Sequence, residues 1–337
     1  MKKNCNKKIL KSKRYYKLAK NIDLTKYKTT TRKYSGELGL STAKYGHLWY
    51  NLPKGKAIFK TFDGEEYCSE VKQYRIINEV ICNKLANQVG LSCAKYEKAH
   101  FNQTEGLVSY NILSDEYNEI LLTGHEILQD EDIIDSYITQ YVEKIQQTKN
   151  YHINKKQMII DLYKITLFDA IVFQTDRHPS NLHFIHNKTT NSLKVAPLID
   201  NEFAFYSEYI QSFIPEFEVD CVEIVKNYSY NLKKMFVYQQ NYLNEYSYYS
   251  NLQALVSVAN KNPLLKKELV NFINNLNIKK AIEETKKEGI DIPPSYENYM
   301  IKLTSVSKGL LRKILVENKD KDIKSYLQEY NIPEIKL

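Results

Sequence analysis

Asp176 and Asn181 stand in the stretch TDRHPSNLHF, an acid and an amide with four residues between them, immediately after an apolar run. A carboxylate beside a hydroxyl can orient it and take its proton, and an amide oxygen is a hard ligand of the kind magnesium accepts. By itself such a string is commonplace in loops. Three further residues sharpen it. Lys60 lies inside the apolar run AIFKTF, where an ammonium is unfavourable unless it meets an anion. Glu79 follows on a predicted helix from which it could reach that ammonium, and Asp200 closes the apolar run APLID with another carboxylate. Singly, Lys60 and Glu79 read as surface charges. Together these residues supply what phosphoryl transfer requires: a cation on nucleotide phosphates, an acid orienting that cation, a carboxylate near the attacking hydroxyl, and oxygen ligands for magnesium.

The neighbours of the acid are less informative. His178 reads as a structural or phosphate-contacting group, because Asp176 is better placed to accept a hydroxyl proton. Arg177 reads as the partner of a nearby acid or of a phosphate. The other histidines are scattered and the five cysteines form no C-x-x-C pair, so no zinc site is predicted.

These residues need elements to hold them. Tyr45 to Tyr50 and Lys56 to Phe62 predict two strands with Asn51 to Gly55 as the turn, which puts Lys60 on a hairpin. Val71 to Val89 sets Ile76, Ile77, Val80, Ile81, Leu85 and Val89 on one helical stripe, with Gly90 at the capping position. Ser92 to His100 and Gly106 to Ile112 predict two more strands. From Ser114 the pattern becomes mainly helical. Lys156 to Thr175 is apolar nearly all round, as a helix buried inside a lobe is, and it delivers Asp176 at its end. Leu182 to Ile185 and Leu193 to Ile199 predict a strand pair across a polar turn, leading to Asp200. The remainder, from about Ser207, is helical and amphipathic.

Length and composition agree with a large soluble globular protein: 337 residues, 43% apolar, 26% charged, net charge +8. No signal-type apolar segment and no membrane-length run is present, so a cytoplasmic protein without a membrane span is expected. From Lys2 to Lys33 there are thirteen Lys or Arg residues against one acid, Asp23. Such an arm suits nucleic acid, an anionic membrane or an acidic partner surface, and its ordinary reading is a solvated tail. Tyr15, Tyr16, Tyr27 and Tyr34 could stack on bases or pack the arm onto the body.

Taken in order, INEVICNKLANQVGL, GLVSYNIL with GHEIL, DAIVFQTDRHPSNLHF and APLIDNEFAF resemble the kinase domain of HipA-like serine/threonine kinases, in the short form made of the HipA C-terminal domain alone. The resemblance runs from about Gly36 to at least Phe205. It implies an α+β, two-lobed protein-kinase-like fold: a basic arm at 1–34, a small sheet-rich lobe at 35–113, and a large mainly helical lobe at 114–337 with a catalytic loop at 175–184 and a metal segment at 197–205. ATP and Mg2+ are the implied cofactors, with Lys60 as the ATP lysine, Glu79 as its helix partner, Asp176 as catalytic base, and Asn181 and Asp200 as metal ligands. Ser41, Thr42, Lys44 and Gly46 belong to the implied phosphate-covering loop, and Ser41 or Thr42 is the implied site of autophosphorylation. A protein substrate is implied, and an antitoxin partner or a secreted effector role is compatible with the family.

The sequence departs from ordinary protein kinases in three places. GELGLSTAKYG is not G-x-G-x-x-G, Ser180 stands where many relatives have glycine, and Asn201-Glu202 replace Phe-Gly after the metal Asp. Two rival readings stay open. DRHPSN also resembles the DRHxxN loop of phosphoinositide kinases, which points to a lipid or small-molecule acceptor, and a non-catalytic nucleotide-binding protein would use the basic arm to hold a partner or nucleic acid.

Overall fold

The computed structural model describes residues 21–30, 49–61, 69–128, 138–148, 150–174, 176–177, 179–206 and 248–317. Most of the expected arm, the loop from Ser41 to Gly46 and His178 lie outside the described residues.

Six strands form the first sheet: β1 (Ile22–Asp23), β2 (Thr29–Thr30), β3 (Trp49–Leu52), β4 (Gly55–Lys60), β5 (Tyr96–Phe101) and β6 (Thr104–Tyr110), in the order β1-β5-β6-β4-β3-β2. The predicted hairpin is β3 and β4, with Leu52 opposite Gly55 and Pro53 and Lys54 as the turn. Alternation along β4 sends Ala57 and Phe59 into an apolar cluster with Tyr50, Val108 and Leu24, while Ile58 and Lys60 face a cleft on the other side.

Strands β1 and β2 lie at opposite edges, yet only residues 24–28 join them. A flat sheet of this width would measure about 24 Å at ~4.8 Å per strand, whereas the Cα path from Asp23 to Thr29 reaches at most about 21 Å. The sheet therefore curls. The 3-10 turn Leu24–Lys26 bridges its edges, with Leu24 1% exposed inside the cluster. Ile22 to Thr30, which fall within the stretch expected to be a basic arm, are thus built into the sheet, and Tyr27 packs against the same cluster.

Helix α1 (Ser69–Gln88) buries Tyr74, Ile77, Val80, Ile81 and Leu85, and Gly90 follows it with φ +65°. The chain then passes through residues 111–118 into a second sheet, β7 (Glu119–Thr123), β8 (His152–Ile153), β9 (His183–Asn187) and β10 (Ser192–Val195), ordered β7-β9-β10-β8. The predicted strand pair is its antiparallel centre. β7 and β8 fall where the pattern predicted mainly helix, because runs this short contain too few side chains to define a period.

Around this sheet stand α2 (Gly124–Leu128), α3 (Ile138–Thr148), α4 (Lys155–Val172), α5 (Tyr248–Lys261), α6 (Pro263–Asn275), α7 (Ile278–Lys287) and α8 (Pro294–Glu317). Helix α4 is the buried helix expected: Asn154 caps its start by accepting from the Gln157 N–H, and Leu162, Phe168, Ala170, Ile171 and Val172 are fully buried. One continuous apolar core runs from α1 through α4 to α8. Polar contacts clamp α1 to the helical part as well. Gln88 exchanges hydrogen bonds with the Asn277 backbone, and the Tyr296 hydroxyl donates to Asn78 Oδ1 at 2.6 Å. Among the described residues no helix is long and apolar enough to cross a membrane.

Candidate active site

Lys60 ends β4, and α1 carries Glu79 to it. The Lys60 ammonium lies 2.6 Å from Glu79 Oε1, 2.6 Å from Asp200 Oδ1 and 2.9 Å from Glu202 Oε2. Glu79 is fully buried, and its other oxygen accepts the Asn201 N–H at 2.8 Å. Burial draws a lysine's pKa down, but Asp200, Glu202 and Glu79 together push that of Lys60 well above its ordinary value. Burial would likewise raise Asp200, and Lys60 beside it holds the carboxyl below the ordinary range. Glu202 is raised, first by burial and then by Asp200, against the pull of Lys60 and Arg75. An ammonium in this position is a fixed positive charge on the cleft wall.

Gly106 on β6 allows this strand pairing to close. A Cβ there would stand 2.4 Å from the Lys60 carbonyl oxygen and 2.8 Å from the Phe59 ring, so only glycine fits without displacing the strand that carries Lys60.

The second half of the site is the loop after α4. Asn181 donates through Nδ2 to both the backbone oxygen and Oδ2 of Asp176, each at 2.8 Å. Gln174 joins the two acidic positions: its Nε2 donates to the Asp200 carbonyl at 3.0 Å and its Oε1 accepts from the Asp176 N–H at 3.3 Å. Beneath them Arg177, 5% exposed, pairs with Asp169 of α4 at 3.1 Å. The same guanidinium donates to Asn201 Oδ1 at 2.7 Å and to the carbonyls of Ile199 and Asn181. Of the two readings open for Arg177, the ion pair with an acid is the one realised. A planar group with donors in fixed directions suits this, because one residue then orients helix, catalytic-type loop and metal-type segment at once.

Between the halves lies an open cleft with apolar walls and a few polar groups, the make-up expected of a small-ligand site. Trp49, Ile58, Tyr110, Ile112 and Ile199 give it apolar walls, and Lys60, Asn181 and Asp200 line it too. His183 of β9 also lines it; burial, then the nearby Arg177, holds its pKa down at about 4, so it is neutral at pH 7. Asp200 itself has φ +62°, a left-handed conformation that aspartate tolerates better than most residues.

Whether magnesium fits can be judged from these donors. Asn181 uses its amide nitrogen on Asp176, so the atom it has left is the oxygen, and Asp200 adds a carboxylate to the same cleft. Few, hard, oxygen-only ligands completed by phosphate and water are what magnesium takes. Asn181 and Asp200 therefore fit the ion. Glu79, Asp200 and Glu202 also converge, within 4.8 Å of one another, but the Lys60 ammonium already contacts all three.

The structure thus brings Lys60, Glu79 and Asp200 into direct contact, sets Asp176 against Asn181, and links the two groups through Gln174 and Arg177. Ser41, Thr42, Lys44, Gly46 and His178 lie outside the described residues. Sequence reasoning missed Glu202, Asn201 and Gln174 as members of the site. The Asn-Glu pair after Asp200 was visible as a departure, and the acid Asp169 within the apolar stretch LFDAIV was the available signal for the role of Arg177.

No protein-family model and no curated protein matches the chain. Among solved structures, the Helicobacter pylori proinflammatory kinase CtkA is similar with a TM-score of 0.64 at 12% identity, over 90% of this chain and 100% of that one. The chain has the two-lobed kinase fold of CtkA. HipA of Shewanella oneidensis, from a complex with HipB and operator DNA, is similar at TM-score 0.46 and 14% identity over 77% of this chain and 60% of that one. A Golgi casein kinase is similar at TM-score 0.44 and 12% identity over 82% and 70%. The two-lobed α+β kinase-like fold expected from the sequence motifs is the fold this chain shares with CtkA.

Proposed function

We propose that this protein is an ATP- and magnesium-dependent kinase that phosphorylates serine or threonine of a protein substrate. The observation that carries the reading is the buried Lys60–Glu79 pair on the wall of an apolar cleft, with Asp200 against Lys60 and the Asp176–Asn181 pair joined to Asp200 through Gln174. In this reading the apolar walls take the nucleoside, and Lys60 holds its phosphates. Asn181 and Asp200 hold magnesium, which when bound neutralises phosphate charge. Asp176 orients the acceptor hydroxyl and takes its proton as the hydroxyl oxygen bonds to the γ-phosphorus, and the bond from that phosphorus to the bridging oxygen breaks to leave ADP. Little covalent work is asked of the protein, so positioning and charge supply the rate.

The protein acceptor is read from the likeness of the sequence motifs to HipA-like kinases, and the lipid or small-molecule alternative from DRHPSN. An antitoxin partner, and an acidic or nucleic-acid surface for residues 1–33, belong to the same reading on the strength of family likeness and charge. The test is transfer from γ-labelled ATP with magnesium to protein, phosphoinositide and sugar acceptors. Label on protein serine or threonine is expected, falling by at least about 100-fold in Asp176→Asn and Asp200→Asn. Equal labelling by those variants, or transfer confined to lipid or sugar, refutes the reading. Mass spectrometry of residues 35–46 after incubation with ATP and magnesium tests Ser41 and Thr42 as autophosphorylation sites.

A further inference from the structure

Glu202 is not needed to explain phosphoryl transfer, yet it sits at the centre of the site. One of its oxygens is 2.9 Å from the Lys60 ammonium and the other 3.2 Å from Arg75 Nη1. Arg75 is 7% exposed and lies 4.5 Å over the Phe203 ring, which holds the guanidinium beside Glu202. The backbone is pinned too, since Asn78 donates to the carbonyls of Glu202 and Ala204.

Lys60 has three N–H donors and meets three carboxylates. A nucleotide phosphate that is to reach this ammonium must replace one of them. Glu79 is fully buried and also bonded to the Asn201 N–H, so it is anchored twice to its place. Asp200 belongs to the cation site. Glu202 has a second cation in ion-pair contact, Arg75, that keeps its charge compensated when Lys60 lets go. Glu202 also places a negative charge directly beside Lys60, which opposes an incoming phosphate.

We propose that Glu202 is a built-in competitor for nucleotide phosphate at Lys60, and that Arg75 is the group that receives it when nucleotide binds. The two residues together set nucleotide affinity, Glu202 lowering it and Arg75 raising it. This inference rests on the kinase reading of the cleft.

The experiment is equilibrium binding of a fluorescent N-methylanthraniloyl-ATP to the full chain, with excess EDTA and again with magnesium, for the parent, Glu202→Gln, Arg75→Met and Lys60→Ala. Thermal unfolding is followed on each variant. Glu202→Gln should tighten binding by about tenfold without magnesium, since it removes a like charge next to the phosphate site. Arg75→Met should weaken it, because Glu202 then has only Lys60. A purely structural role would weaken binding in both variants, so the opposite signs are the signature. If the parent binds and Lys60→Ala does not, while Glu202→Gln binds as the parent does or more weakly, the inference is overturned and the kinase reading stands. If the parent fails to bind nucleotide with or without magnesium, both are overturned.

Discussion

The Asn201 backbone N–H donates to Glu79 Oε2 at 2.8 Å, so the residue after Asp200 is fastened to the same carboxylate that pairs with Lys60. This bond couples the two lobes at the site. Helix α1, which carries Glu79, is held in turn by Tyr296 on Asn78 and by Gln88 on the Asn277 backbone. The lysine–glutamate pair is therefore already formed in this arrangement, with a helix that is braced on both sides.

Removing Lys60 should expose how much the ammonium holds together. Lys60→Met leaves Glu79, Asp200 and Glu202 facing one another, and breaking a buried pair in this way destabilises by about 3–5 kcal/mol. Part of that loss should be recovered between pH 8 and pH 5, because one carboxylate can take up a proton and relieve the repulsion. Urea unfolding at both pH values measures it.

Arg177 is expected to matter to the site through shape as well as stability. Arg177→Lys keeps the charge but cannot reach Asp169, Asn201 Oδ1 and two carbonyls together, so stability should fall by about 3 kcal/mol and transfer with it. Asp169→Asn should destabilise in the same direction, since it leaves the guanidinium buried without its acid. Denaturant midpoints and labelled transfer check both.

Three glycines give a paired test of close approach. A Cβ at Gly106 meets the Lys60 carbonyl at 2.4 Å, and one at Gly124 meets the Tyr141 hydroxyl at 2.5 Å and the Pro179 carbonyl at 3.0 Å. Gly106→Ala and Gly124→Ala should each lose about 1–3 kcal/mol and disturb the lysine strand and the Asp176 loop respectively. Gly309 in α8 has nothing within 4 Å of its Cβ position, so Gly309→Ala should gain about 0.5–1 kcal/mol. Thermal unfolding of the set reads the signs.

Acid stability should carry the mark of His183. Its folded pKa is about 4, below the ordinary 6.5, so the unfolded chain binds the extra proton first. Stability from this group is complete above pH 6.5 and is lost as pH falls to about 4, with a total near 3 kcal/mol. His183→Gln should flatten that limb of the stability–pH curve. Unfolding titrations of parent and variant between pH 7 and pH 4 decide it.

What the sequence by itself determined is the order of five candidate residues and the local elements that carry them. Lys60 in an apolar strand, Glu79 on the next helix, Asp176 and Asn181 after an all-round apolar helix, and Asp200 at a strand end each follow from local pattern, because burial periodicity and turn chemistry act over a few residues. Tertiary structure alone decided which charges meet. Lys60 and Asp200 are 140 positions apart in the chain, and nothing in either window distinguishes an ammonium shared among three carboxylates from one paired with Glu79 alone. The same holds for the strands of residues 22–30: composition made them part of a basic arm, and only the curl of a sheet whose edges they join makes Leu24 a core residue. Charge is a property of the residue, but its partner is a property of the topology that closes the distance.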